Sequence, residues 1–191
     1  MQILNPNINF DNFLIEIQNK DSKLLLLDYD GTLAPFHVNP LAAVPYAGVV
    51  ELLDKIMIDL KTRVIVITGR WTKDIKFLLP LKNQPEIWGT HGIERLKPDG
   101  TYMIDKMDPR ALQGLAEADY WLSSGVHNLK YRYEQKPGSL ALHWRGLKNS
   151  QIKKIRLSVD RKFEQLSRRF GLLVKEFKGN AQRNICSLSG G

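Results

Sequence analysis

The sequence predicts an α/β protein, a doubly wound and mostly parallel sheet followed by a smaller α+β unit. Two apolar runs of strand length, "KLLLLDY" and "RVIVITGR", alternate with stretches of helical periodicity in the first half of the chain. Both runs are apolar on both faces, as in strands covered from two sides of a parallel sheet. After "GTHGIE" the order changes to hairpin, helix, hairpin, helix and strand, which signals a second architecture.

Taken in order, a short helix is expected near Asp11–Gln18, with Phe13, Leu14 and Ile17 facing inward. The first strand follows in "KLLLLDY". "VPYAGVVELLDKIMIDL" then reads as a helix with Val49, Leu53, Ile56 and Leu60 on its core side. Arg63–Thr68 is the second strand, a short helix starts at Thr72, and "EIWGTHG" holds the third strand. "RLKPDGTYM" reads as a hairpin turning at Pro98, Asp99 and Gly100. Asp108 as N-cap and Pro109 at the first helical position start the next helix. "LKYRYEQ" and "SLALHWR" alternate like strands around a "KPG" turn. A basic helix then presents Ile152, Ile155, Val159, Phe163, Leu166 and Phe170 on one face, and "LLVKEF" is a last strand. The expected organisation is a core over residues 1–105, a second unit over 106–177, and an atypical tail over 178–191.

Composition narrows the function classes. With 191 residues, 43% apolar and 25% charged, the chain has the balance of a globular protein with a real core. No apolar run is long enough to span a bilayer, and "MQILNPNINF" lacks the features of a signal peptide, so a cytoplasmic location without membrane attachment is expected. Cys186 is the sole cysteine, which excludes an internal disulfide and a cysteine metal site. The net charge of +8 is concentrated between Lys148 and Phe170, where basic residues fill the polar circumference of the amphipathic helix. A solvated outer face explains it. Attraction of an anionic substrate and weak RNA contact are the alternatives, and no RNA-binding motif supports the second, so no nucleic-acid partner is expected.

The chemistry concentrates in "LLLLDYDGTLAPF". In open α/β sheets, ligands bind beyond the carboxyl ends of the strands, where Asp28 and Asp30 fall. Gly31 permits a sharp bend there, and Thr32 follows it. Two carboxylates at this spacing can divide phosphoryl-transfer chemistry, one attacking phosphorus while the other gives a proton to the leaving oxygen. Their mutual repulsion invites a hard cation such as Mg²⁺. The plainer reading is a loop of turn-forming Asp and Gly. The full string, three apolar residues and then D-x-D-G-T-L, goes further: it resembles the first motif of the haloacid-dehalogenase-type phosphatases, whose core is Rossmann-like. Thr68, at the end of "VIVITGR", matches the second motif of that superfamily, and Arg70 lies just beyond it.

A narrower resemblance rests on "LDYDGTLAPF", "GTHGIE" and "YEQKPGSLALHWR" together. These are similar to the trehalose-6-phosphate phosphatases over about Leu24 to Phe177, a family with a cap domain at this point in the chain. The resemblance implies hydrolysis of trehalose 6-phosphate through an aspartyl-phosphate, with Mg²⁺ as cofactor and a sugar phosphate as the small-molecule partner. Asp28 would be the nucleophile and Asp30 the acid and base. Mg²⁺ would be held by the Asp28 carboxylate and the Asp30 backbone carbonyl. Thr68 would bind the phosphoryl group, with Arg70 beside it, and His91 and Gly92 would line the entrance. From the cap, Glu134, Lys136 and Ser139 would grip the sugar hydroxyls, with Arg145 close by. Ordinary strand chemistry accounts for charged residues at these cap positions too, and His143 reads as a half-buried histidine with satisfied hydrogen bonds.

The family pattern is incomplete here. After Phe177 comes "KGNAQRNICSLSGG", which contains no acidic residue. A later Gly-Asp-Asp string that completes the Mg²⁺ shell is missing, and Lys178 comes too early to be the expected charge-neutralising lysine. A C-terminal truncation, with a frame change near Gly179, is expected, and an impaired enzyme with it. A phosphatase of the same superfamily for another sugar phosphate, or a fragment that binds a sugar phosphate without turnover, are the alternatives.

Overall fold

The computed structural model describes residues 9–58, 61–124, 132–144, 146–177 and 182–186. The chain starts with α1 (Phe10–Gln18) and β1 (Lys23–Leu27). Then come α2 (Val49–Ile58), β2 (Thr62–Ile67), α3 (Thr72–Leu78) and β3 (Glu86–Gly89). The hairpin β4 (Glu94–Leu96) and β5 (Tyr102–Ile104) leads into α4 (Pro109–Ser123). A second hairpin, β6 (Arg132–Lys136) and β7 (Ser139–His143), precedes the long α5 (Asn149–Phe170), β8 (Leu173–Phe177) and β9 (Gln182–Cys186).

The α/β class expected from sequence is the one observed. In the first sheet, ordered β1-β2-β3-β4-β5, the first three strands run parallel and the last two antiparallel. Tyr29, Leu53, Val66, Ile75 and Ile87 lie in its core. α2 turns Leu53 inward and packs Val49 and Ile56 against the same cluster; Leu60 lies outside the described residues. The buried Asp54 carboxylate accepts a hydrogen bond from Lys82 N at 2.9 Å, which ties α2 to the segment before β3.

Two expectations for the N-terminal elements change. β1 reads as an interior strand, yet among the described residues it pairs only with β2, leaving Leu24 58% and Leu26 54% exposed. α1 was expected to bury Phe13, Leu14 and Ile17, but none of its residues is buried. Its periodicity is that of an amphipathic helix, and no described element covers the apolar side.

The second unit packs α4 and α5 on one face of a sheet ordered β6-β7-β9-β8, antiparallel throughout. Asp108 caps α4 as expected, its Oδ1 accepting from Arg110 N at 2.9 Å. α5 buries Ile155, Val159, Phe163, Leu166 and Phe170 and ends at Gly171 in the left-handed conformation, where glycine carries no Cβ penalty. Leu140, Leu142 and Ile185 complete that core from the sheet. Residues 182–186, within the expected tail, are thus an inner strand of the second sheet. Ile185 is fully buried, and the backbone pairs with both neighbours.

The α4–α5 crossing gives a stability test with an unusual sign. Replacing a mid-helix glycine by alanine ordinarily stabilises a helix by about 1 kcal/mol. At Gly114 an added Cβ would stand 2.6 Å from Phe170 Cβ and 2.7 Å from its Cγ. Gly114→Ala is therefore expected to lower stability by about 1–3 kcal/mol, as overpacking does. Urea unfolding of both forms measures it, and a raised midpoint would contradict this packing.

Candidate active site

At the carboxyl end of β1 the chain must turn without losing the hydrogen bonds of its buried backbone. Tyr29, fully buried, organises that turn: its carbonyl accepts from Leu33 N at 2.9 Å and Ala34 N at 3.1 Å, and its hydroxyl donates to Ala43 O at 2.7 Å. Burial, opposed by Arg70 and reinforced by Asp30, pushes its phenol pKa up to about 12. Gly31 sits at φ 85°, and a Cβ there would meet the Phe36 ring at 2.8 Å. Asp28 and Asp30 flank this anchored tyrosine, and both line a cleft of about 830 Å³, a size suited to a small-molecule ligand. Asp28 Oδ1 accepts from Tyr29 N at 2.7 Å.

Asp30 is held by Arg70. Nε of the guanidinium donates to Oδ2 at 2.7 Å and Nη2 to Oδ1 at 2.6 Å, while Nη1 donates to Pro40 O at 2.6 Å. Burial alone would lower the Arg70 pKa, but the hydrogen bonds and charge of Asp30 outweigh it and raise the value. Fork-to-carboxylate pairs of this kind fix geometry as well as charge. Thr68, buried at the end of β2, accepts from Arg70 N at 3.1 Å through Oγ1, so its own hydroxyl proton remains available to a ligand in the cleft.

The third strand ends differently from expectation. After Gly89 the chain turns through a short 3-10 segment, Thr90–Gly92, in which Thr90 (φ 49°) and His91 (φ 59°) are both left-handed. Such residues cost about 1–3 kcal/mol each unless their surroundings enforce them. Thr90 N donates to Arg70 O at 2.8 Å and His91 N to Thr68 O at 3.0 Å, which straps the turn across the end of β2. The His91 ring lies against Gly69, where an added Cβ would be 2.5 Å from Cε1. Desolvation by the cleft walls, then the charges of Lys136 and Lys175, lower the imidazole pKa, and Asp28 opposes them.

The opposite wall comes from the second sheet. Period two places Arg132, Glu134 and Lys136 of β6 on the cleft side and turns Tyr133 toward the helices. Lys136 Nζ crosses to the first unit and donates to Gly69 O at 2.9 Å. It also lies 3.4 Å from Glu134 Oε2, as does His143 Nε2. Burial would raise the Glu134 pKa, but the neighbouring His143 and Lys136 bring it below the ordinary value. His143, expected to be a histidine with satisfied hydrogen bonds, instead lines the cleft, and its buried Nε2 has no hydrogen-bond partner among the described residues.

Asp28, Asp30, Thr68, Arg70, His91, Glu134 and Lys136 thus meet around one cleft. Two expected residues do not line it: Gly92 follows His91 at φ 95°, and Ser139 is buried beside the β6–β7 turn. Arg145 and Lys178 lie outside the described residues. Sequence reasoning missed Asp74 in the first turn of α3, which lines the cleft; burial and then the like charge of Glu134 raise its pKa. Its place four residues after Arg70, on the same turn into α3, is the signal that was available. Among the described residues no three His, Cys, Asp or Glu side chains form a metal cluster.

Strands and cleft define a two-unit α/β protein with a cleft at the carboxyl ends of parallel strands and a second sheet as the facing wall. The chain belongs to the trehalose-phosphatase family, whose model matches residues 26–155. It is 30% identical over 134 residues to the trehalose-phosphate phosphatase of Mycobacterium ulcerans (strain Agy99), covering 69% of this chain and 33% of that protein. To the trehalose-phosphatase of Saccharomyces cerevisiae it is 36% identical over 75 residues, 39% of this chain and 8% of the relative. The fold resembles the C-terminal domain of C. albicans trehalose-6-phosphate phosphatase with a TM-score of 0.73 at 19% identity, covering 97% of this chain and 64% of that one. The chain therefore spans about a third of the length of the mycobacterial relative.

Glu134 yields a pH test. Its pKa falls from 4.5 on folding, so its contact with His143 and Lys136 stabilises the fold above that value and is lost as pH drops through the lower folded pKa. Between about pH 6 and about pH 3, Glu134→Gln should lose less stability than the parent chain in urea unfolding. Parallel losses would exclude the contact.

Proposed function

We propose that this chain carries the phosphoryl-transfer face and the sugar-reading wall of a trehalose 6-phosphate phosphatase. The observation that carries the reading is the cleft itself, in which Asp28 and Thr68 from the first sheet face Glu134 and Lys136 from the second. In this reading the Asp28 carboxylate attacks phosphorus and forms an aspartyl-phosphate, while Asp30 protonates the departing sugar oxygen and later takes a proton from water. Thr68 donates its hydroxyl to a phosphoryl oxygen. Glu134 and Lys136 accept from and donate to sugar hydroxyls, so substrate choice resides in the second unit and chemistry in the first.

Mg²⁺ fits the donors present. Asp28 uses one carboxylate oxygen for Tyr29 N and both Asp30 carboxylate oxygens meet Arg70, contacts compatible with the pair that the family resemblance implies, the Asp28 carboxylate and the Asp30 backbone carbonyl. Mg²⁺ commonly takes one or two protein oxygens beside water and phosphate oxygens. When bound, it supplies positive charge against the phosphoryl group. Arg70 also supports a second reading: by holding both oxygens of Asp30 it keeps that carboxylate an acceptor, which suits sugar-phosphate binding without turnover.

Incubation of the 191-residue chain with trehalose 6-phosphate and Mg²⁺ separates the readings. Phosphate release slower than that of a complete phosphatase is expected, stopped by a chelator and abolished by Asp28→Asn. Saturable binding without release selects the second reading, and the absence of both overturns each.

A further inference from the structure

Glu94, on β4, is fully buried, and its carboxylate accepts four hydrogen bonds. Oε1 accepts from Thr72 N at 2.8 Å and from Thr90 Oγ1 at 2.8 Å. Oε2 accepts from Thr72 Oγ1 at 3.1 Å and from the Tyr102 hydroxyl at 2.8 Å. A buried carboxylate is tolerable only when satisfied in this way, and a satisfied one fixes its partners in place. The donors are not scattered. Thr72 stands two residues after Arg70, and Thr90 immediately before His91.

Gly89 shows how closely these parts converge. A Cβ there would be 2.6 Å from Glu94 Oε1, 2.7 Å from Thr72 Cγ2 and 2.9 Å from Arg70 O. The same carboxylate therefore holds the start of α3 and the left-handed Thr90, whose amide in turn donates to Arg70 O. Tyr102 approaches from β5 and touches neither Arg70 nor His91 through this network.

We propose that Glu94 is a positioning residue for the cleft, setting the His91 ring against Gly69 and the Arg70 backbone across the end of β2 by way of Thr90 and Thr72. The proposal rests on the reading of this cleft as the ligand site, but its geometry can be tested without any ligand. The carboxylate never meets the ligand; it decides the shape of the entrance that the ligand meets.

The test is an NMR measurement, at one fixed pH, of the nuclear Overhauser contact between the His91 ring protons and Gly69 Hα. The contact is expected in the parent chain and in Tyr102→Phe, which removes a bond to Glu94 from the far side. It should fall several-fold in Glu94→Gln, where an amide NH₂ must face two of the four donors. Thr90→Val deletes one donor while keeping the side-chain shape, and the contact should fall there too; this variant decides the matter if Glu94→Gln does not fold. An undiminished contact in a folded Glu94→Gln, or in Thr90→Val, overturns the proposal, as does an equal loss in Tyr102→Phe. Calorimetry with trehalose 6-phosphate adds a separate arm. Affinity should drop about tenfold in Glu94→Gln and stay unchanged in Tyr102→Phe. A parent chain that binds no trehalose 6-phosphate refutes the substrate reading and leaves the Overhauser result to decide the role of Glu94.

Discussion

A guanidinium fork at the end of β2 is the constraint on which the described site depends. Arg70 reaches Asp30 with two donors and Pro40 O with a third, and its Cζ lies 5.2 Å from the centroid of the Tyr29 ring. One side chain thereby joins the end of β1, the loop that follows it and the end of β2. Because the carboxylate and the cation each lose most of their water, neither is tolerable there without the other. The arrangement also fixes the direction in which Asp28 can face, since Asp28 is one residue before the anchored Tyr29.

The second unit closes on this platform through the backbone. Lys136 finds its acceptor in the carbonyl of Gly69, and glycine at that position leaves room for the His91 ring on its other side. A lysine on one wall of the cleft is thus physically joined to the loop that follows Thr68 on the other. Positive charge from Arg132 and Lys136 and negative charge from Asp28, Asp74 and Glu134 are interleaved around the cleft, a pattern suited to a ligand that is anionic at one end and rich in hydroxyls at the other.

Much of this could be read from the chain. Asp28 and Asp30 stood out because an apolar run ends at them, and strand geometry then decides where they point. Asp108 with Pro109 and the three-to-four spacing along α5 are local signals, and the structure follows them. Other features depend on contacts distant in sequence. The "QRNIC" segment has no apolar periodicity of its own, so its place as an inner strand arises from pairing with β7 and β8 on its two sides. Whether β1 is inner or outer depends on what pairs with it, which its own composition does not encode. Glu94, within "GTHGIE", has no role legible in the sequence, because its partners Thr72 and Tyr102 are brought together only by the fold. Ser139 matched a pattern by position, but the tight β6–β7 turn buries it.

The strand order β6-β7-β9-β8 also governs when this protein can take shape on the ribosome. β7 and β8 share no backbone hydrogen bonds; each is joined to the other only through β9, the last described strand to be made. The first sheet is made of neighbouring segments and can assemble as soon as its strands emerge. The second sheet must wait, its core of α4, α5 and β7 still lacking Ile185, until residues 182–186 leave the exit tunnel and slide between strands that have no earlier reason to align. Nascent chains shorter than that hold an incomplete core with one sheet position unfilled, the kind of surface that chaperones recognise.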